Sequence, residues 1–264
     1  MLQNADDNEY NKSTSPTLTL TYEAGSLRVD CNEVGFEKKH VEAISRVRRS
    51  TKSGKNQLYK YTGEKGIGFK SVFRVADKVW ISSRQYHFKF DRTKKFGMIA
   101  PEWAEFPRRT YPGVTSFYLE LSPHFNADEL VQDLRNFAPT NLIFLQQIEK
   151  VVIREVDKYG VVKWENDILK IKTQNDGESF TVLDMGYCKL RYLNLRHRVH
   201  NLPLEPKRAH YSHSELTLAF PVIEPTTQPL PGTQFVYTLL PISDHGLKVT
   251  LSTHISRGVL LTHS

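Results

Sequence analysis

Residues 16–36 read PTLTLTYEAGSLRVDCNEVGF, and this stretch decides how the chain begins to fold. Apolar side chains alternate with threonine up to Tyr22, Gly25 interrupts the pattern, and the alternation resumes as far as Val29. A period of two places successive side chains on opposite faces of a strand, and a glycine between two such runs is typical of a turn. The stretch therefore predicts a β-hairpin.

Helices and strands are predicted to mix in the first part of the chain. Apolar spacing predicts a short amphipathic helix over residues 41–47 and another helix over residues 128–137, and the segment NLIFLQQI is expected to continue the helical layer. The alternating segments KVWISS, YHFKFD and TSFYLELS predict strands. From Val151 onwards strand patterns dominate. We therefore expect two domains, 1–148 and 149–264, with the second one incomplete.

Composition excludes several classes of protein. The chain has 264 residues, 39% of them hydrophobic, which is unlike a disordered or collagen-like sequence. Its net charge of +7 lies in residues 36–70, a segment that suits a phosphate-bearing ligand. Two cysteines and no basic-then-apolar leader predict an intracellular protein, cytoplasmic or nuclear. No apolar run approaches the ~20 residues of a membrane span, so no membrane partner is expected.

A glycine-rich loop is the most specific chemical signal. Residues 63–73 read GEKGIGFKSVF, with Gly63, Gly66 and Gly68 ahead of an apolar run. Glycines let backbone amides approach an oxyanion, and a following helix adds its own N–H groups, so the loop suits a polyphosphate. The alternative is a tight turn before a core helix. The spacing fits neither a P-loop nor a Rossmann fingerprint.

Two further segments carry polar side chains at suggestive spacings. On a helix, Asn4, Asp7 and Asn8 would share one face, where amide and carboxylate oxygens could reach a hydrated Mg²⁺. Residues 32–36, NEVGF, form a polar strand end turning through Gly35, where a carboxylate or amide could meet a base edge. The alternatives are a solvated helix end and an ordinary strand-to-helix turn.

Taken in this order, the three segments resemble the GHKL ATPases, the superfamily of gyrase, heat-shock chaperones, histidine kinases and mismatch-repair proteins. The wording QNADDN, NEVGF and GEKGIGFKSVF is most similar to its NO VEIN-like and sacsin-like branch. The resemblance implies an α+β fold of the Bergerat type, a mixed β-sheet with helices on one face, followed by a partial strand-rich second domain. It also implies a chaperone-like, histidine kinase/HSP90-like module that binds ATP and Mg²⁺ under a glycine-rich lid, with an unknown protein client.

Site residues follow from the same resemblance. Asn4 matches the asparagine that ligates Mg²⁺, and Thr115 resembles the threonine of a later box. Cys31 stands where the family has its adenine-reading aspartate, so Asp30 or Glu33 would take over that contact. The remaining implied nucleotide-binding residues are Asp7, Asn8, Gly35, Gly63, Lys65, Gly66, Gly68, Phe69 and Lys70.

Catalysis is where the chain departs from the family pattern. The general-base glutamate, four residues before the Mg²⁺ asparagine, would fall just before Met1, so no catalytic residue is assigned and little hydrolysis is expected. We expect either a fragment of a larger protein, the favoured interpretation, or a degenerate relative. The alternative function is an inactive interaction module whose basic lid, with Arg46, Arg48 and Arg49, binds nucleic acid or a protein.

Overall fold

The structure is a computed structural model that describes residues 1–45, 69–98, 100–175, 177–200, 213–222, 236–237 and 250–254. The chain divides into two compact units. Unit 1 comprises Met1–Phe137 and Gln146–Ile168, and unit 2 comprises Ala138–Leu145 and Leu169–Ser264.

The described helices are short. The α-helices are α1 (Leu2–Asp6), α2 (Lys38–Ser45) and α3 (Ala127–Arg135). Two 3-10 helices span Phe69–Arg74 and Pro139–Leu142. The Asn126 side chain caps α3 by accepting a hydrogen bond from the Glu129 backbone N–H, which satisfies a donor that has no partner inside the helix.

Thirteen strands are described. They are β1 (Thr17–Glu23), β2 (Ser26–Cys31), β3 (Ala76–Ser83), β4 (Tyr86–Asp91), β5 (Glu102–Trp103), β6 (Thr115–Leu121), β7 (Lys150–Val156), β8 (Val162–Asn175), β9 (Glu178–Asp184), β10 (Lys189–His200), β11 (His213–Val222), β12 (Val236–Tyr237) and β13 (Thr250–His254).

Unit 1 is built on a mixed sheet. Its strands follow the order β7-β1-β2-β6-β3-β4-β5, with β1 and β7 parallel and the other neighbours antiparallel. The predicted hairpin is confirmed, since β1 and β2 pair from Leu18 opposite Cys31 to Glu23 opposite Ser26. Gly25 lies in its turn with a φ of 79°, a conformation that glycine adopts without strain. The predicted strands KVWISS, YHFKFD and TSFYLELS are confirmed as β3, β4 and β6.

Unit 2 is also a sheet. The part of β8 that belongs to this unit pairs with β9, and the order continues through β10, β11, β13 and β12. These neighbours are antiparallel except for β12 and β13, which are parallel. The predicted dominance of strands after Val151 is thus confirmed for the residues that the structure describes.

The expected α+β fold of the Bergerat type, a sandwich with helices covering one face of the sheet, is wrong. Strands dominate both units, and the described α-helices have at most nine residues. Among their described side chains, only Ala5 and Asp6 of α1 are buried. Helices this short and this exposed do not form a covering layer. The cores consist instead mainly of strand side chains, of which Val79, Ile81 and Phe90 are fully enclosed.

The segment NLIFLQQI shows why the helical layer does not form. Only its first two residues, Asn141 and Leu142, are helical, as the end of a 3-10 helix. The backbone N–H groups of Gln146, Gln147 and Ile148 donate to the Asp6 carboxylate, at 2.8, 2.7 and 2.9 Å. In a helix the same N–H groups would bond carbonyls four residues earlier. A partner about 140 residues away therefore competes with the local helical pattern.

None of the described helices is long and apolar enough to cross a membrane.

Candidate functional site

The first helix is held in place through Asp6. Its buried carboxylate accepts the three backbone hydrogen bonds just described, so α1 is fixed against the chain ahead of β7. The predicted Mg²⁺ ligand Asn4 and its neighbour Asp7 lie exposed at this anchored helix. An ordered backbone beneath exposed oxygen donors is a useful starting point for binding a hydrated cation. Asp6 itself was not among the predicted site residues.

A buried polar cluster begins where α1 meets β2. The Asn8 side chain hydrogen-bonds the Cys31 thiol, and the Tyr10 hydroxyl lies 3.0 Å from Cys31 Sγ and donates to the Ala5 carbonyl at 2.6 Å. Burial raises the pKa of Cys31 to about 11 and raises the pKa of Tyr10, so both groups are neutral at physiological pH. The cluster therefore presents neutral dipoles next to the loop that carries Glu33.

Glu33 places a carboxylate beside this cluster. It is 6% exposed, and the Thr115 side chain hydrogen-bonds its carboxylate. Thr115 Oγ1 lies 2.6 Å from Ser83 Oγ, which in turn accepts a hydrogen bond from the Phe36 backbone N–H at 2.7 Å. The Phe36 N–H can only donate, so Ser83 Oγ accepts from it and can donate its own proton to Thr115 Oγ1. The Thr115 hydroxyl can then donate to the Glu33 carboxylate. Ser83 was not predicted from the sequence.

One oxygen of the Glu33 carboxylate lacks a hydrogen-bond donor among the described residues. Oε1 is buried and has no hydrogen-bond partner among the described residues. Burial raises the pKa of Glu33, while the Thr115 hydrogen bond and the charge of Arg84 act in the opposite direction. A buried acceptor without a donor costs about 1–3 kcal/mol. The site therefore offers a strong acceptor for an N–H group of a ligand.

Asp30, the other candidate for the base contact, lies on the sheet face opposite to that of Cys31 and Thr115. In β2 it alternates with Cys31, and its carboxylate pairs with Arg28 at 2.8 Å and accepts from the Ser116 hydroxyl at 2.5 Å. Its neighbours in β1 and β6, Thr19 and Ser116, lie on this same face. Asp30 is thus engaged within the fold, on the opposite face from Thr115.

Gly35 has a role in packing. Its φ is +88°, and a Cβ added there would lie 2.7 Å from the Arg84 Cγ atom. Arg84 uses this space to donate from Nε to the Val34 carbonyl at 2.6 Å. The absence of a side chain at Gly35 therefore lets Arg84 approach the loop that carries Glu33.

Phe69 and Lys70 lie in the 3-10 helix that follows the glycine-rich loop. The ring centroids of Phe69 and Phe117 are 6.3 Å apart, and the Phe117 ring also contacts the Phe36 ring. Phe69 therefore packs with the aromatic residues that adjoin the Glu33 loop. Lys70 donates to the Met98 carbonyl. Burial lowers the pKa of Lys70 to about 8, which leaves part of this amine neutral near physiological pH.

The structure brings together only part of the predicted set. Asn8, Glu33 and Thr115 meet in the buried cluster, together with Cys31. The glycine box, with Gly63, Lys65, Gly66 and Gly68, lies outside the described residues, as does the basic run of the lid. No group of three or more His, Cys, Asp or Glu side chains suited to a metal ion occurs among the described residues.

Comparisons with known proteins add a NO VEIN-like relation. No protein-family profile matches the chain. Among curated proteins the chain is similar to Protein NO VEIN of Arabidopsis thaliana, with 31% identity over 223 residues. The match covers 74% of this chain and 8% of that protein, so the chain spans a small part of its relative's length. The NO VEIN-like relation, which the motifs implied, is supported, and the wider GHKL assignment is not confirmed.

Proposed function

We propose that this chain binds Mg²⁺-ATP, as the nucleotide-binding module of a GHKL-type, chaperone-like protein. The observation that carries the proposal is the buried Glu33 carboxylate, whose Oε1 has no donor among the described residues. The exocyclic amine of adenine supplies such a donor. Thr115 holds the carboxylate in position, and the resemblance of the three motifs to GHKL ATPases points to the same base.

The base preference follows from the donor pattern. Adenine presents an amine at its six position, whereas guanine presents a carbonyl oxygen there. An oxygen placed against Oε1 would bring two acceptors together, and the buried carboxylate would stay unsatisfied. ATP is therefore the preferred nucleotide, with GTP binding more weakly.

The metal ion suits the exposed Asn4 side chain. Mg²⁺ keeps several of its waters and is usually held by phosphate oxygens with one or two protein ligands. Asn4 on the anchored helix α1 supplies one amide oxygen, and the exposed Asp7 lies nearby in sequence.

Calorimetric titration with ATP tests the proposal. We expect measurable binding in the presence of Mg²⁺, weaker binding in EDTA, and weaker binding of GTP than of ATP. Asn4→Ala should weaken binding only when Mg²⁺ is present, since the amide acts on the ion. Equal affinities of the parent protein and Asn4→Ala in Mg²⁺ would remove Asn4 from the site. No binding of ATP or GTP by the parent protein would refute the proposal.

A further inference from the structure

A groove lies at the β4–β5 edge of the unit 1 sheet, apart from the Glu33 site. Its volume is about 750 Å³, within the range of about 300–1,000 Å³ that is common for ligand sites. Trp103, Phe106, Arg108 and Arg109 line it, together with His87, Ala104, Glu105 and Thr110. None of these residues was singled out as a site residue by the sequence: His87 lies in β4, Trp103 ends the short strand β5, and the others lie in the irregular stretch between β5 and β6.

Trp103 is the most prominent residue of this groove. Its side chain is 71% exposed, although tryptophan is usually well buried. Its ring stacks on Tyr86, with centroids 6.4 Å apart and an interplanar angle of 23°, and meets the edge of Phe88 at 6.0 Å. Two aromatic neighbours therefore hold an exposed indole in a fixed orientation. This is the arrangement of a stacking platform.

The loop after β5 adds two guanidinium groups. Arg108 lies 4.8 Å from the centroid of the Tyr118 ring and pairs with Glu23 at 3.0 Å, so its position is fixed and its charge is balanced. Arg109 lies 5.4 Å from the Tyr111 centroid, and its side chain makes no ion pair with a carboxylate among the described residues. Arg109 therefore brings a positive charge that no ion pair fixes to the lining of the groove, which also includes the acidic Glu105.

We propose that this groove binds single-stranded nucleic acid, with a base stacked on Trp103 and a phosphate held by Arg109. An exposed aromatic ring beside a cationic group matches the two parts of a nucleotide, and sequence-independent binders of single strands use the same pair of contacts. An acidic peptide would use the arginine but would gain little from the flat indole. The residues of this groove are different from those of the proposed ATP site.

Fluorescence anisotropy with labelled oligonucleotides tests the proposal on the full chain. The probes are single strands of about twelve nucleotides, oligo(dT) and oligo(rU), which span the site of one binding module. Trp103→Ala should weaken binding by about fivefold or more, as expected from the loss of one base stack. Arg109→Ala should also weaken binding and reduce the slope of log K against log salt by about 0.7, the value for one phosphate contact on a single strand.

Tyr159 and Lys158 provide a matched control. Tyr159 is 79% exposed, and the Lys158 amine lies 4.9 Å from its ring centroid, so this pair also combines an exposed aromatic ring with a cation. Tyr159→Ala and Lys158→Ala should leave oligonucleotide binding unchanged. If they weaken binding as much as the groove variants do, adsorption is general and the proposal fails.

Further measurements make the outcome decisive. Stacking on Trp103 should quench tryptophan fluorescence, and this quenching should disappear in Trp103→Ala. A thermal melt equal to that of the parent protein shows that the variant is folded, as the exposure of Trp103 leads us to expect. Binding of either probe with these effects supports the proposal, and the tighter probe identifies DNA or RNA. Full displacement of both probes by inorganic polyphosphate at equal phosphate concentration would overturn it, as would no binding.

Discussion

Replacing Glu33 by glutamine distinguishes a role of the buried carboxylate in ligand binding from a role in the stability of the fold. A hydrogen bond to a charged group contributes about 1.5–3 kcal/mol, and about 1.4 kcal/mol corresponds to a tenfold change in affinity. If Glu33 Oε1 accepts the adenine amine, Glu33→Gln should therefore weaken ATP binding by about 10- to 150-fold. The amide is nearly isosteric, and its oxygen can still accept the Thr115 hydrogen bond, so the site keeps its shape.

The same substitution should not destabilise the fold at neutral pH. Burial raises the pKa of Glu33, so the folded state holds this proton more tightly than the unfolded state. Stability from this group therefore falls as the pH rises from the ordinary carboxyl pKa through the raised one, and above that window the buried charge opposes folding. Glutamine removes this pH dependence. We expect Glu33→Gln to unfold at the same urea concentration as the parent protein, or at a higher one, at neutral pH.

Asp30→Asn is the matched control, since the sequence offered both acids as the base contact. Asp30 and Arg28 have side chains that are 16% and 14% exposed, and loss of the carboxylate leaves the guanidinium without its counterion. The variant should lose about 1–3 kcal/mol of stability and keep its affinity for ATP. Titration calorimetry and urea unfolding measure both quantities. Unchanged ATP binding in Glu33→Gln, with a loss in Asp30→Asn, would refute the assignment.

Three other predictions concern the surroundings of the site. Lys70, with its pKa lowered to about 8, should be acylated at lower pH than the exposed Lys158, as measured by mass spectrometry after pulse labelling; identical profiles would contradict its burial. Asp6→Ala removes the acceptor of three backbone hydrogen bonds and should cost about 2–4 kcal/mol in urea unfolding, far more than an ordinary surface substitution. Gly35→Ala places a Cβ against Arg84 at a φ of +88° and should cost about 1–3 kcal/mol, so a variant as stable as the parent protein would contradict the close approach.

The fold could be predicted where local pattern and neighbouring sequence agree. The β1–β2 hairpin needs only alternation and a glycine turn, and both strands pair within fifteen residues. The segment NLIFLQQI was predicted wrongly because a run of apolar residues does not distinguish a helix from other buried segments. Its conformation depends on Asp6, far away in the sequence. β10 was not predicted either, since its basic residues obscure the period-two pattern.

The candidate site, like the fold, could be predicted from the sequence only in part. Motif order predicted Asn8, Glu33 and Thr115 as site residues; these residues lie in one cluster, and their role in binding stays a prediction. The choice between Asp30 and Glu33 depends on which face of β2 Asp30 occupies, and on partners such as Arg28 and Ser116. Neither is visible in a motif. The supporting Ser83 comes from a strand about fifty residues beyond Glu33, where its sequence context gives no signal of a role in the site.

The alternation along β6 also explains why the two proposed sites can be tested independently. Thr115 hydrogen-bonds Glu33 on one face, whereas Ser116 and Tyr118 lie on the other, where Tyr118 supports the Arg108 side chain. A substitution at Trp103 or Arg109 leaves the Glu33 cluster untouched, and Glu33→Gln leaves the groove untouched. ATP affinity should therefore be unchanged in Trp103→Ala, and oligonucleotide affinity should be unchanged in Glu33→Gln. Loss of both activities in either variant would mean that the substitution acts through the shared sheet, and the separate assignments would fail together.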